Sequence, residues 1–463
     1  MQNKIIIKPF QFITLLECEI IREVNQHIKA KVSGYIQDTI DGVLDRDLEN
    51  EIISIVEEQE GKEPQNLFYG ILEAITVEQE GELRKVSFEA ISYTSLLDQT
   101  RQVRVFQNKD QTYKDVVSFI CRENKRTRTL FTENEKKKTE GLLVQYQETD
   151  WEFINRIASY LNTVIVADCS NDYSCFYFGL PKRVDMISLS ASSYHVKQNI
   201  DELEKKRSLG MTSITKRDVT DYYVNSREYL ELCEPVEFQG KRFRVMRAFS
   251  KWEKGEMTHE YLLRTEQGFK TAPYYNSLIA GVSMRGEIKK VKEERVKVWI
   301  EGTKKGMDED PRWFDFATVY SSKESAGWYC MPEKGDQVRI YFPDEYEKHA
   351  FVISAVHIGE QRGWKLNPEE KFIRTVDDKE ILLTPEQIKV TNHKGMSITI
   401  DDEKGVSIRS NKDIQIYSGE SVNLNSQEGI TIEGGGGVFL KQNQNMIMIR
   451  DGILEKGNKV EHR

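Results

Sequence analysis

From residue 398 to residue 448 the sequence sets an aliphatic or methionine pair at every eighth position: Ile398 and Ile400, Val406 and Ile408, Ile414 and Ile416, Val422 and Leu424, Ile430 and Ile432, Val438 and Leu440, Met446 and Met448. The members of a pair lie two residues apart, so on an extended strand both point to one face, while Ser407, Gln415, Asn423 and Thr431 point to the other. A helix does not repeat on that period, and a disordered chain has no reason to keep such a register. Between the pairs stand Asn411, Gly419, Gly429, the run Gly434–Gly437 and Asn443, residue types that accept sharp turns and positive φ. Each octad therefore reads as one strand and one corner. The "EGGGG" of residues 433–437 falls inside this register and reads as a corner, not as a phosphate-binding loop.

Repetition at a fixed period argues for a solenoid. A single chain would spend three octads on each triangular coil, so the seven octads present give little more than two coils, short of the roughly three repeats that stability requires. Its strand edges would also stay open. Three identical chains wound about one axis pair every strand and bring all the apolar rows together. The expectation is an obligate homotrimeric β-helix, a β-prism, with a trimer core made of Ile398, Ile400, Val406, Ile408, Ile414, Ile416, Val422, Leu424, Ile430, Ile432, Val438 and Leu440. At a strand spacing of about 4.8 Å the layers would form a stiff needle roughly 35 Å long. The last octad breaks the alternation, because Met446, Ile447, Met448 and Ile449 are all apolar. Three copies would give the needle an apolar rim, either covered locally by Ile453 and Leu454 or serving as a docking platform for a partner at the tip.

The remaining sequence divides in front of these repeats. The chain has 463 residues, 38% of them hydrophobic, enough for two to four domains with substantial cores. Its net charge of −9 comes from interspersed acids and bases, which argues against nucleic-acid binding. The longest apolar runs, Ile5–Ile7 and the stretch around Phe12–Leu16, fall far short of the roughly 20 residues of a spanning helix. Glu17, Glu19 and Glu23 follow so closely that no signal peptide is expected. Cys18, Cys121, Cys169, Cys175, Cys233 and Cys330 lack Cys-x-x-Cys spacing and are expected to be reduced. No metal or cofactor site is expected.

Residues 1–275 mix strand-like segments (Lys4–Phe10, Lys85–Ile91, Val164–Ala167) with amphipathic helices. In "ETDWEFINRIASYL", Thr149 or Asp150 can cap a helix whose Trp151, Ile154, Ile157, Ala158 and Leu161 share a face, with Trp151 packed inward. In "QTYKDVVSFICREN", Thr112 caps a helix that presents Val116, Val117, Phe119 and Ile120. The "ENEKKKTEG" stretch reads as a solvated loop. Residues 277–360 show short alternating strands at Arg295–Ile300, Asp315–Tyr320, Gln337–Phe342 and Ala350–His357, separated by Gly, Pro and Asp turns, the pattern of a small OB-type barrel. Residues 361–380 read as a linker, 381–449 as the repeat spike and 450–463 as a short tail.

The octads, the preceding "KFIRTVDDKEILL" and "SITIDDEKGVSIRSNKDIQI", the barrel's "MPEKGDQVRIYF" and the hub-like "VQYQETDWEFINRIASYL" together resemble, in collinear order, the VgrG family of contractile injection systems. That resemblance implies a phage tail hub fused to a central spike: a mainly β chain with an α+β hub, an OB-type barrel and a trimeric octad β-helix. It also implies tail tube and baseplate proteins as partners, a PAAR-type tip protein, delivery of an effector, transient contact with a target membrane, and assembly at the tip of a contractile particle after synthesis in the cytoplasm. Only "RDGILEKGNKVEHR" follows the last octad, so no C-terminal effector or wall-degrading domain is expected.

Catalysis has little support. Asp308-Glu309-Asp310 and Asp344-Glu345 could pair as acid and base in a glycan hydrolase, but they sit in polar turns beside Pro311 and Pro343. No Gly-x-Ser-x-Gly, Gly-Lys-Ser/Thr or His-Glu-x-x-His motif is present. A peptidoglycan-degrading spike enzyme and a receptor-binding tail fibre or adhesin are the two competing readings.

Overall fold

A computed structural model describes residues 4–37, 40–44, 51–58, 61, 63–124, 127–253, 255–304, 311–323, 326–355 and 367–461. The chain forms two compact units, Met1–Ile358 and Gly359–Arg463.

The first unit is built on a twelve-stranded sheet in which hairpin neighbours are joined by long-range pairings. Phe12–Glu23, for example, pairs antiparallel with Lys241–Glu253, setting Ile21 opposite Phe249. Two helices cover part of it. Asp150–Tyr160 starts at a reciprocal cap: Thr149 Oγ1 accepts the Glu152 N–H (3.1 Å) and the Glu152 carboxylate accepts the Thr149 N–H (2.9 Å). Trp151, Phe153, Ile154, Ile157 and Ala158 are buried as the spacing requires. Tyr113–Glu123 repeats the device with Thr112 and Asp115, burying Val116, Val117 and Ile120. Both helices join one core with Ile7, Val32, Phe68 and Phe88.

The expected barrel is a five-stranded antiparallel sheet in the order Trp313–Asp315, Arg295–Ile300, Ser283–Lys292, Gln337–Tyr341, Phe351–Ala355. It curls until its two edges touch at a single bridge, Phe316 to Val352, instead of closing through a full ladder. Its core of Ile288, Val296, Val298, Ile300, Val338, Ile340 and Val352 continues into Val105, Leu142 and Val144, so the residues on either side of position 276 share one packed interior. The strand expected at Asp315–Tyr320 is displaced. Pairing ends at Asp315, and Tyr320 instead accepts the Trp328 N–H in an excursion that leaves Val319 90% exposed. The Ser283–Lys292 strand was not anticipated: Gly286 interrupts its apolar pattern, yet a Cβ there would lie 2.4 Å from Val298 Cγ1, so the glycine marks close strand approach.

The second unit begins earlier than the sequence suggested. Residues 361–380 are not all linker, because Lys371–Arg374 is already a strand. It leads an antiparallel meander with Glu380–Leu383, Gln387–Thr391, Ser397–Asp401 and Gly405–Arg409. Residues 410–437 then make no ladder, although they bend at 411–412, 419–420 and 427–428 and turn at 435–436. Val438–Gln442, Asn445–Ile449 and Ile453–Lys456 form a last antiparallel sheet.

Candidate functional site

Register converts the octad pattern into a surface. Across the meander Ile373, Ile381, Val390, Ile398 and Ile408 stand directly opposite one another, and Leu383, Ile388, Ile400 and Val406 form the adjacent row on the same face. All nine side chains are exposed, from 41% at Ile381 and Leu383 to 69% at Val406. The first row floors an open apolar groove of about 510 Å³. The other face carries Thr399 and Ser407 beside Phe372 and Leu382.

Polar side chains fix the corners of this sheet. Glu380, only 8% exposed, is held by His393 Nε2 (2.5 Å) and by Arg374 (3.8 Å). Asp401 Oδ1 accepts the Lys404 N–H (2.9 Å) and the Glu403 N–H (3.2 Å). Those backbone bonds, Lys404 first, hold its carboxyl below the usual aspartate range. Gly405 follows at φ +75, a conformation that favours glycine.

In the unladdered stretch the expected core residues Ile414, Ile416, Val422, Leu424, Ile430 and Ile432 are between 53% and 74% exposed. A signal missed in the sequence sets its bends. Ser410 Oγ accepts the Lys412 N–H (3.1 Å), Ser418 Oγ the Glu420 N–H (3.3 Å) and Ser426 Oγ the Gly429 N–H (3.2 Å). The three serines are themselves eight residues apart, and each hydroxyl builds a local turn.

The last sheet departs from octad phase. Octad spacing would put Val438 and Leu440 on one face with Met446 and Met448. The hairpin turns instead at Asn443 (φ +53) and pairs Gln442 with Asn445. This sets Val438 opposite Ile449 and Leu440 opposite Ile447. Register slips by one and the faces exchange. Met446, Ile447, Met448 and Ile449, expected as a single rim, are thus divided between two faces.

In the first unit the sequence-singled groups have structural partners. Trp151 is 5% exposed, its ring 4.4 Å from that of His27 and edge-on to Phe176. Its helix also carries Arg156, fully buried, which donates to Glu148 (2.7 Å) and to Glu347 of the curled sheet (2.7 Å). Burial opposes the charge on Arg156, but the two carboxylates hold its pKa above the ordinary value. Asp344 accepts the Tyr346 N–H (2.9 Å) and pairs with His349 (2.7 Å), the geometry of a turn; Asp308-Glu309-Asp310 lies outside the described residues. Among the described residues no group of three His, Cys, Asp or Glu is placed to hold a metal ion. Five cysteines are buried and unbridged, burial pushing Cys18 up to about 12, while Cys330 is exposed.

These features match known proteins in part and in whole. Residues 46–160 match the family model for the phage tail baseplate hub (GPD). Among solved structures, the E. coli c3393 protein, described as a component of the type VI secretion system with structural similarity to T4 bacteriophage tail proteins gp27 and gp5, is 13% identical; the match covers 76% of this chain and 100% of that one, with a TM-score of 0.54. The Francisella PdpA-VgrG complex in its half-lidded form gives 11% identity, 88% coverage of each chain and a TM-score of 0.56. Its lidded form gives 9% identity, 88% and 80% coverage, and a TM-score of 0.57. No curated protein matches the sequence. Residues 46–160 are thus hub-like, and the fold of the chain resembles that of hub and spike proteins. Within that class the chain is VgrG-like in fold.

Proposed function

We propose that the protein is the homotrimeric hub and spike of a contractile injection system. It joins the tail tube and baseplate to a needle that punctures a target membrane, seats a PAAR-type conical tip protein at the end of the last sheet, and supports effector delivery. It works mechanically, carrying force without catalysing a reaction. It is made in the cytoplasm, assembled at the tip of the particle and delivered outside the cell.

The observation that carries this reading is the unsatisfied state of the repeat in a single chain. Residues 410–437 keep octad spacing in their bends and aliphatic pairs, yet among the described residues no strand pairs with them. Burying an exposed aliphatic side chain stabilises by about 1 kcal/mol or more, and two further copies supply both that burial and the missing backbone partners. In the 371–409 segment the three inner strands are paired on both sides within the chain, and the outer strands Lys371–Arg374 and Gly405–Arg409 each keep one open edge, so there the apolar face and two edges are left for the other copies.

Sedimentation tests this directly. The full chain is expected at about three times its 53.9 kDa mass. A folded chain running at the one-chain mass would overturn the trimer. Removal of residues after Leu440 should abolish capture of a PAAR-type tip protein; unchanged capture would remove the docking assignment.

A further inference from the structure

The face exchange in the last sheet gives it two apolar faces that differ in charge. One carries Val438, Leu440, Ile447, Ile449 and Ile453, with Glu455 directly opposite Ile447. The other carries a row of Phe439, Met448 and Leu454 beside a row of Lys441, Met446 and Lys456. Four apolar side chains and two lysines thus share a face whose two rows, among the described residues, hold no carboxylate, while Glu461 lines the pocket beside Lys441, Met446 and Lys456. Phe439 is 52% and Leu454 49% exposed.

We propose that this lysine-bearing face binds an anionic lipid surface, an assignment that rests on the spike reading above. The chemistry decides the occupant. Packing the face into a protein core would bury two ammonium groups and require matched carboxylates. The other face, with five aliphatic side chains and a single acid, is the better candidate for burial against other copies. A bilayer interface accommodates both components at once: phenyl, thioether and isobutyl groups enter the acyl boundary, while the lysine stems lie along them and their ammonium groups reach the phosphates. In a trimer the two lysines of each chain become six around the shaft, within the range of four to eight basic residues at which clusters recognise anionic membranes. The one-residue slip at Asn443 is what creates this face: with octad phase kept, Met446 and Met448 would turn inward with Val438 and Leu440.

The test is flotation of the full chain with vesicles of phosphatidylcholine alone or mixed with phosphatidylglycerol, with sedimentation of the same preparations. Wild type should float with the phosphatidylglycerol vesicles, and less so as salt rises. The double variant Lys441→Glu/Lys456→Glu should bind at least about tenfold less, and Phe439→Ser/Leu454→Ser should also float less, both sedimenting as wild type does. The proposal is overturned by equal flotation with phosphatidylcholine alone, by no flotation of wild type, or by unchanged flotation of the lysine variant. Loss of the trimer in that variant would instead make the face an interface between copies. Flotation by a one-chain species would retain the lipid assignment while removing the trimer, so the two readings fail separately.

Discussion

Residues 371–409 and 410–437 carry the same kind of aliphatic rung, but the first segment folds back on itself and the second does not. The difference lies in their corners. At 402–404 the chain reverses around Asp401, whose carboxylate gathers the N–H groups of Glu403 and Lys404, and Gly405 completes the turn at φ +75. Ser397–Asp401 and Gly405–Arg409 consequently pair, placing Ile398 opposite Ile408 and Ile400 opposite Val406. At Ser410, Ser418 and Ser426 a hydroxyl accepts one N–H and the chain bends without forming an antiparallel ladder. Apolar periodicity thus decides which side chains share a face, whereas corner chemistry decides whose backbone they pair with.

The sharpest way to break this comparison is to put charge into the unladdered rungs. Ile414→Asp/Ile416→Asp should abolish the trimer, because six carboxylates would be buried about the axis without partners. In that variant, amide hydrogen exchange should still show protection in 371–409 and none in 410–437. Trimers that persist would refute the inward assignment of this pair, and equal protection of both segments would erase the distinction between them. Next in size is Gly405→Val, which forces a β-branched residue into positive φ. It should destabilise the intrachain hairpin by about 1–2 kcal/mol in denaturant unfolding while leaving the serine bends intact. Ser410→Ala, Ser418→Ala and Ser426→Ala should each cost about 0.5–1 kcal/mol of assembled-shaft stability, with no effect on the 371–409 ladder.

The smallest expected effect is acidic. Asp401 has a folded pKa below its ordinary 3.8 because of its backbone hydrogen bonds. Its contribution is therefore fully present above the unfolded value and fades as pH falls through the lowered one. Asp401→Asn keeps an acceptor oxygen but cannot titrate. The stability gap between wild type and this variant should narrow below pH 3.8, and a gap that stays constant would show that the carboxylate's charge is not used at that corner.

What the sequence disclosed follows the same division. Local rules were legible: the Thr112 and Thr149 caps, the buried faces of their helices, the octad phase and the short strand at Arg295–Ile300 all depend on residues within a few positions of one another. Long-range pairing was not, since nothing near Ile21 specifies Phe249 as its neighbour across the sheet. Lys371–Arg374 was hidden in a segment read as linker because four residues are too few to show alternation. Among the candidate site residues, the face shared by Ile398, Ile400, Val406 and Ile408 was readable from their spacing, and the serine turns were overlooked. The division of Met446 to Ile449 between two faces depended on a turn one residue shorter than the octad phase requires, which apolar counting does not register.

The serine spacing bears on how such a shaft can change over generations. Because Ser410, Ser418 and Ser426 keep the same offset from the aliphatic pairs that follow them, a block of eight residues is a complete module, holding its own bend and its own rung. Duplicating or deleting one block should alter reach by a single strand spacing, about 4.8 Å, and leave everything on either side in phase. Insertions of any other size would rotate all later rungs out of line, so related shafts should differ in length by whole multiples of eight.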